Sequence, residues 1–401
     1  MADKVENMNI GYIREHNTSK IMHCVRRFGP IPRAEIGDRT GISRSTVTRV
    51  VNHLIEEGLL VENDVMETSR GRYPVNVDIR SDALYAFGVN ISKNHLSIVL
   101  TDLKSKILDK SRISIRSLSS AEELIRLIVE QIRRLAGKRE LEWSRILGVG
   151  VGAPGLVDSE KGIIRNFALK GEMLGIPMKQ ELEERLKVKV KVDNNCNTWL
   201  LGESWNGFAV EQQDTLFVLS SEGVGCGILR HGEIFRELNN TAAGLGHISV
   251  NMMGERCRCG NRGCVETYCS TDMIEKKARE FLTVYRKNDG GGLLPEEERS
   301  LTFQEIAKSV EDGDGLFMPI LMEAASALAC GVVSLINLCS PSLVILAGTL
   351  FDASNFYYEM VIQEVMGRLY AFAPLPQFRK RNSNDELFEI GAAAAVLREL
   401  F

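Results

Sequence analysis

This 401-residue sequence is first narrowed by what it lacks. Its opening residues, MADKVENMNIGYIREHN, hold no apolar h-region of the kind a secretory signal needs, which predicts a chain kept in a reducing cytoplasm. Cys24, Cys196, Cys226, Cys269, Cys330 and Cys339 are then expected as free thiols. No apolar run reads as long enough to cross a bilayer, so no membrane span is expected. Compositional extremes are missing too. Hydrophobic residues at 44% and charged residues at 25% exclude a disordered chain, and the length admits two or three domains with buried cores.

Neither charge sign dominates, since the net charge is −4, but one segment departs from the average. Between Arg14 and Leu54, the basic residues Arg14, Lys20, Arg26, Arg27, Arg33, Arg39, Arg44 and Arg49 face only Glu15, Glu35 and Asp38. A basic head on an acidic body is expected where one module binds nucleic acid and the rest has another task. Apolar spacing predicts a helix from about Ile10 to Arg27, a short second helix over Arg33 to Thr40, and a third from Ser43 to about Glu57. Gly41 supplies the turn, Ser43 can cap the third helix, and Ala34, Ile36, Ile42, Val47, Val50 and Leu54 are the expected core. This is a helix-turn-helix pattern.

Arg44, Ser45, Thr46, Thr48 and Arg49 stand at the start of the third helix as guanidiniums and short hydroxyls, suited to base edges and phosphates in a major groove. Arg33 and Ser43 join them as candidate DNA contacts. Downstream, GLLVENDVMETSRGRYPVNVDI has a strand-turn-strand pattern like a wing. Arg70, Gly71 and Arg72 stand at its tip beside Pro74, as a hook fit for a narrow minor groove. The partner implied is double-stranded operator DNA.

A second signal lies in GHISVNMMGERCRCGNRGCVE. His247, Cys257, Cys259 and Cys264 are imidazole and thiolate donors, and three of the nine cysteines fall within eight residues. Four such side chains suit a structural zinc with no open coordination position. The remaining body alternates strands and helices: a three-stranded meander from Tyr85, an amphipathic helix SAEELIRLIVEQIRRLAG, and a buried strand ILGVGVGAPGLV. A second meander follows in DTLFVLSSEGVGCGILRHGEIF. Two similar meanders suggest a duplicated lobe. Helices are expected to dominate from Phe303 onward, interrupted by a strand at LVILAG.

The N-terminal winged helix with GRYP, the segments VGVGAPGLVDSEKGI, DNNCNTWLLGE and EGVGCGI, the GLGH…CRCGNRGCVE pair, NLCSPSLVILAGTL and EIGAAAAVL together resemble the ROK family of repressors and sugar kinases, most of all its repressor branch. The resemblance covers nearly the whole chain. It implies an α/β architecture: an N-terminal winged helix-turn-helix followed by a two-lobed, actin-like, sugar-kinase-type body. The expected domains are 1–80 for DNA binding, 81–195 plus 380–401 for the first lobe, and 196–379 for the second lobe with the zinc site and an oligomerisation surface. The implied function is a cytoplasmic transcriptional repressor of a carbohydrate operon, acting as a homodimer or homotetramer, with a sugar or sugar-derivative effector between the lobes.

Family kinases would carry Asp-x-Gly-Gly-Thr where this chain has Asn90-Ile91-Ser92-Lys93-Asn94. Glu222 in Ser221-Glu222-Gly223-Val224-Gly225-Cys226-Gly227 puts a negative charge where the family's second phosphate loop meets a polyphosphate. The catalytic aspartate of Asn-Asp-Ala-Asn is replaced by Asn195, which cannot take a proton from a sugar hydroxyl. Kinase activity is therefore not expected, although a sugar kinase with a DNA-binding head is the competing class; a third is a regulator controlled by protein contact. By resemblance the effector would meet Asn194, Asn195, His247 and Glu266, with Gly155 and Asn166 on bordering loops. Gly244 stands where the family has an acid, so an ordinary hexose is not expected: either the ligand differs, or a larger or more acidic molecule uses the vacated space, or the site is vestigial and another partner regulates the protein. Two simpler roles stay open: Asn194 and Asn195 ending a strand and capping a helix, and Glu266 orienting the zinc loop.

Overall fold

The computed structural model describes residues 2–63, 67–68, 71–72, 75–166, 174–236, 244–288, 300–370 and 374–401. α1 (Ala2–Phe28) turns Ile21, Met22 and Val25 into a buried seam. β1 (Ile31–Pro32) leads into α2 (Arg33–Thr40), which ends at Gly41 in the left-handed region, φ 70°, with its N–H on the Gly37 carbonyl. α3 (Arg44–Glu56) starts after Ser43, whose hydroxyl accepts the Thr46 N–H at 3.3 Å. Ile36, Val47, Val50 and Leu54 fill the core as expected. Ala34 does not: two turns of α2 bury only Ile36 and Gly37, leaving Ala34 exposed, and Ile42, in the turn itself, is half-buried.

β2 (Leu60–Asn63), β3 (Glu67–Thr68), β4 (Gly71–Arg72) and β5 (Asn76–Ile79) follow. β5 pairs antiparallel with both β1 and β2, while β3 and β4 form the wing hairpin. Arg70 and Pro74, expected near its tip, lie outside the described residues.

β6 (Tyr85–Ile91), β7 (His95–Asp102) and β8 (Ile107–Ser114) are an antiparallel meander, followed by α4 (Ala121–Lys138), whose N-cap Ser120 accepts the Glu123 N–H. Next come β9 (Ile146–Ala153), β10 (Leu156–Asp158), β11 (Ile163–Asn166), β12 (Leu174–Ile176), α5 (Met178–Leu186), β13 (Lys189–Asn194) and α6 (Asn195–Asn206). A second meander, β14 (Thr215–Ser220), β15 (Val224–Arg230) and β16 (Glu233–Ile234), precedes α7 (Glu266–Cys269), α8 (Thr271–Asn288), α9 (Phe303–Glu311) and α10 (Met318–Cys339). The chain closes with β17 (Leu343–Ala347), α11 (Thr349–Ala353), α12 (Asn355–Arg368), β18 (Gln377–Arg381) and α13 (Leu387–Leu397).

The strand orders are β8-β7-β6-β9-β13 and β16-β15-β14-β17-β18. Each sheet is a meander extended by two later strands, the duplication that the two meanders suggested. β18 was not anticipated. Its sequence, QFRKR, has no apolar alternation: among the described strands it pairs only with β17, at the sheet edge, where none of its side chains is fully buried.

Two compact units emerge: residues 1–151, 177–192 and 392–401 in one, 152–176 and 193–391 in the other. This division differs from the expected 81–195 plus 380–401 against 196–379. Close backbone approach explains part of it: a Cβ on Gly152 would lie 2.4 Å from Thr198 Oγ1, tying the end of β9 to α6. β10, β11 and β12 make their own small sheet in the second unit.

One expectation needs correction. The stretch Gly315–Cys339 is long and apolar enough, by length and composition, to cross a membrane. Its burial accounts for that character: Leu321, Ala325, Leu328, Ala329 and Val332 are wholly enclosed among Phe303, Leu346, Phe351 and Tyr357, making α10 the core helix of the second unit.

Candidate functional site

The metal-type ligands converge. Their donor atoms all lie within 4.8 Å of one another, with Cys257 Sγ 3.7 Å from His247 Nδ1 and Cys259 Sγ 3.7 Å from Cys264 Sγ. A tetrahedron with zinc–sulfur bonds of about 2.3 Å has edges of roughly 3.8 Å, close to the two 3.7 Å spacings, so the four donors lie near enough to share one ion. The backbone builds the loop: Val250 N–H donates to Gly263 O at 2.8 Å, Cys257 N–H to Asn261 O at 2.8 Å, and Val265 N–H to Ile248 O at 3.0 Å. Gly263 is required here, at φ 61°, because a Cβ would stand 1.7 Å from Asn251 O. Burial raises the Cys257 thiol and pushes Cys264 up to about 12, while the Asn261 backbone lowers Cys259. A cation among these donors would offset the burial that raises Cys257 and Cys264, whereas Cys259 is exposed; thiols with an imidazole beside them are a donor set that fits a metal.

Glu266 begins α7 immediately beyond this loop, and its carboxylate is already engaged. Oε1 accepts from Arg258 Nη2 at 2.8 Å and Oε2 from the Val224 N–H at 3.1 Å. Glu266 thus joins the metal loop to the start of β15, as the simpler of the two readings expected. Asn194 likewise caps α6, its Oδ1 accepting the Cys196 N–H at 2.9 Å while Nδ2 donates to Gly155 O at 2.8 Å. Asn195 is different: it is 8% exposed and makes no side-chain hydrogen bond among the described residues. Cys196 then packs against β15, where a Cβ on Gly225 would lie 2.8 Å from its Sγ.

A run of contacts follows from Gly155 through Asn194 and Cys196 to Val224, Glu266 and Arg258. Asn166, at the end of β11, is exposed and makes no hydrogen bond with Asn194, Asn195, His247 or Glu266. The spacing of motifs missed Asp193 and Arg236. Asp193 Oδ1 accepts from the Asn194 N–H at 2.7 Å and Asn197 Nδ2 at 3.0 Å, and its Oδ2 accepts from Arg236 Nη2 at 2.6 Å. Its position beside Asn194 was the available signal; Arg236, forty-three residues away, gave none.

On α3, Arg44, Ser45, Thr48 and Arg49 are exposed, and neither arginine has an ion-pair partner among the described residues. Ser43 and Thr46 are half spent on the cap, sharing a hydroxyl contact of 2.9 Å. Arg33 is held elsewhere: its Nη2 donates to Glu62 at 2.7 Å, joining α2 to β2. Gly71 and Arg72 lie on β4, and the Arg72 side chain lies outside the described structure.

With this geometry in place, a family model described as "ROK family" matches residues 86–399, and one described as "MarR family" matches residues 21–66. The DNA-binding transcriptional dual regulator NagC of Escherichia coli K12 is 27% identical over 398 residues, covering 98% of this chain and 95% of the relative. The xylose repressor of Bacillus subtilis is 25% identical over 362 residues, 90% and 89% of the two chains. A crystal structure of a ROK family transcriptional regulator, a homologue of the Escherichia coli MLC protein, has a TM-score of 0.81 at 21% identity, covering 97% of this chain and 96% of the other. A ROK family glucokinase from Streptomyces griseus, crystallised with glucose and AMPPNP, has a TM-score of 0.65 at 23% identity over 78% and 98%. The fold is therefore a MarR-like winged-helix head on a sugar-kinase-like body. The chain belongs to the ROK family.

Proposed function

We propose that this protein is a sugar-responsive transcriptional repressor that reads double-stranded operator DNA through α3 and the β3–β4 wing. The carrying observation is that its likeness to NagC and the xylose repressor runs through head and body together, with Arg44, Ser45, Thr48 and Arg49 presented on an exposed helix face. One recognition helix reads a half-site, so a homodimer or homotetramer is the acting form. His247, Cys257, Cys259 and Cys264 would hold a zinc ion, whose role is to neutralise the thiolates and stiffen the loop. Asn194, Asn195, His247, Glu266 and Gly155 are the proposed effector residues, and effector binding shifts the protein between states of different operator affinity.

Kinase activity is not part of this function, because Asn195 has no basic group to accept a proton and Glu222 opposes a polyphosphate. The test is operator binding by the full chain at physiological salt. A preference for its own promoter region over random DNA is expected; equal affinity for both overturns the reading. ATP consumption across hexoses and N-acetylhexosamines should stay at background, and turnover would restore the kinase class.

A further inference from the structure

One residue of α3 is not explained by the fold of the head. Val47, Val50, Val51 and Leu54 form the buried stripe of this helix, at the i, i+3, i+4, i+7 spacing that turns one side of a helix into a core. Ser45, Arg49, Asn52 and Glu56, at i, i+4, i+7 and i+11, run along the opposite side, and all four are exposed. The hydroxyls of this face have partners close by in the chain: Ser45 Oγ lies 3.2 Å from Ser43 Oγ, and the Thr48 hydroxyl donates to the Arg44 carbonyl at 2.9 Å. Asn52 makes no side-chain hydrogen bond among the described residues. It caps nothing either, since it stands in the third turn of a 13-residue helix. Asparagine is a poor helix former there, because its amide competes for backbone hydrogen bonds, and stability alone would favour alanine or a longer straight side chain.

We propose that Asn52 reads an adenine in each operator half-site and is the last base-reading residue of α3. The inference rests on the repressor reading and names what one further residue of that helix recognises. A carboxamide sets an acceptor and a donor side by side, and the major-groove edge of adenine offers the complement, the N6 amino donor beside the N7 acceptor, so the two pair bidentately. From Ser45 to Asn52 the helix advances about 10 Å, which a major groove about 12 Å wide accommodates. Charge decides where the contact ends. Arg44 and Arg49 put cations on the first two turns, whereas Glu56 ends the helix and Glu57 follows it, with Glu57 Oε1 3.3 Å from His53 Nε2. DNA phosphates repel carboxylates there, so α3 enters the groove by its N-terminal half, and Asn52 is the last side chain of the exposed stripe that a polyanion does not oppose. The arginines orient the helix through charge, which every sequence offers alike; a neutral amide with a free donor and acceptor is the group that distinguishes one base from another.

The test measures the full chain at physiological salt on a footprinted fragment of its own promoter region, with each base pair of one half-site replaced in turn. Replacing one A·T pair should weaken the unaltered protein at least about five-fold, and 7-deazaadenine at that pair, which lacks the N7 acceptor, should weaken it too. Asn52→Ala should bind every base pair at that position within about two-fold, while keeping its preferences elsewhere in the half-site. Its unfolding temperature should not fall, since the side chain is exposed and holds nothing in the head. Asn52→Asp, whose carboxylate accepts but cannot donate, should lose the adenine preference as well. Adenine preference kept by either variant, indifference of the unaltered protein to 7-deazaadenine, or a uniform loss of affinity across all sequences in Asn52→Ala, the mark of a phosphate contact, overturns the proposal. The two readings fail differently. Preference for the promoter region with base preferences untouched in Asn52→Ala sinks only this inference, whereas equal affinity of the unaltered protein for promoter and random DNA sinks the repressor with it.

Discussion

On α3, Arg44 and Arg49 stand in solvent without an ion-pair partner among the described residues, whereas Arg236, Arg258 and Arg381 each hold a carboxylate that solvent scarcely reaches. The extreme case is Arg381, 15% exposed, forked onto Glu203, which is 0% exposed and also accepts the Phe208 N–H. The two regions put one residue type to different uses. An unpaired surface guanidinium keeps its side-chain freedom, and where it meets a nucleic-acid phosphate it gains from released counterions. An anchored one has its geometry set by the fold, and its partner cannot be removed without leaving an uncompensated buried charge.

The largest effect separates the metal loop from the rest of the second unit. Cys264→Ser or a strong chelator should remove one equivalent of zinc and expose the 247–266 loop, since structural zinc contributes about 10–16 kcal/mol of apparent binding energy in small domains. Metal analysis with hydrogen exchange checks this; protection of that loop unchanged after metal loss would show that its backbone bonds suffice. Next, Glu203→Ala should cost about 3–5 kcal/mol by stranding Arg381 in the core. Denaturant unfolding measures it, and a cost below about 1 kcal/mol would mean that water and the Asp385 carboxylate, which already accepts from Arg381 Nη1 at 2.8 Å, suffice for the guanidinium.

Arg44→Ala and Arg49→Ala probe the opposite regime. Stability should change by less than about 0.5 kcal/mol, as for ordinary surface positions. Operator affinity should fall by about 1–3 kcal/mol for a base contact, or uniformly across sequences, with the salt slope reduced by about one, for a phosphate contact. Unaltered affinity and slope in both variants would remove α3 as the recognition helix. The smallest effect is Ser43→Ala, which should destabilise the head by about 1 kcal/mol through loss of the cap on the Thr46 amide. Thermal unfolding resolves it, and a cost equal to that of Thr48→Ala, whose hydroxyl only returns to the Arg44 carbonyl, would deny the cap any special part.

Legibility in the sequence followed distance along the chain. Helices α2 and α3 and the tetrad His247, Cys257, Cys259 and Cys264 rest on spacings of a few residues, so periodicity and donor chemistry found them. The double meander was legible because each strand pair closes through a short turn. What escaped was long-range or polar. β18 has too few apolar residues to register as a strand, and the apolar length of α10 meant core only once its burial was known.

By itself, the sequence determined the basic head, the cluster of imidazole and thiol donors at 247–264 and an asparagine, not an acid, at position 195, because each is a matter of residue type at a local position. Tertiary structure alone decided that Glu266 answers to Arg258 and Val224, that Asp193 answers to Arg236, and that Arg33 belongs to Glu62. The physical reason is that a charge declares its sign in the sequence, but its partner and its burial are set only when distant segments meet.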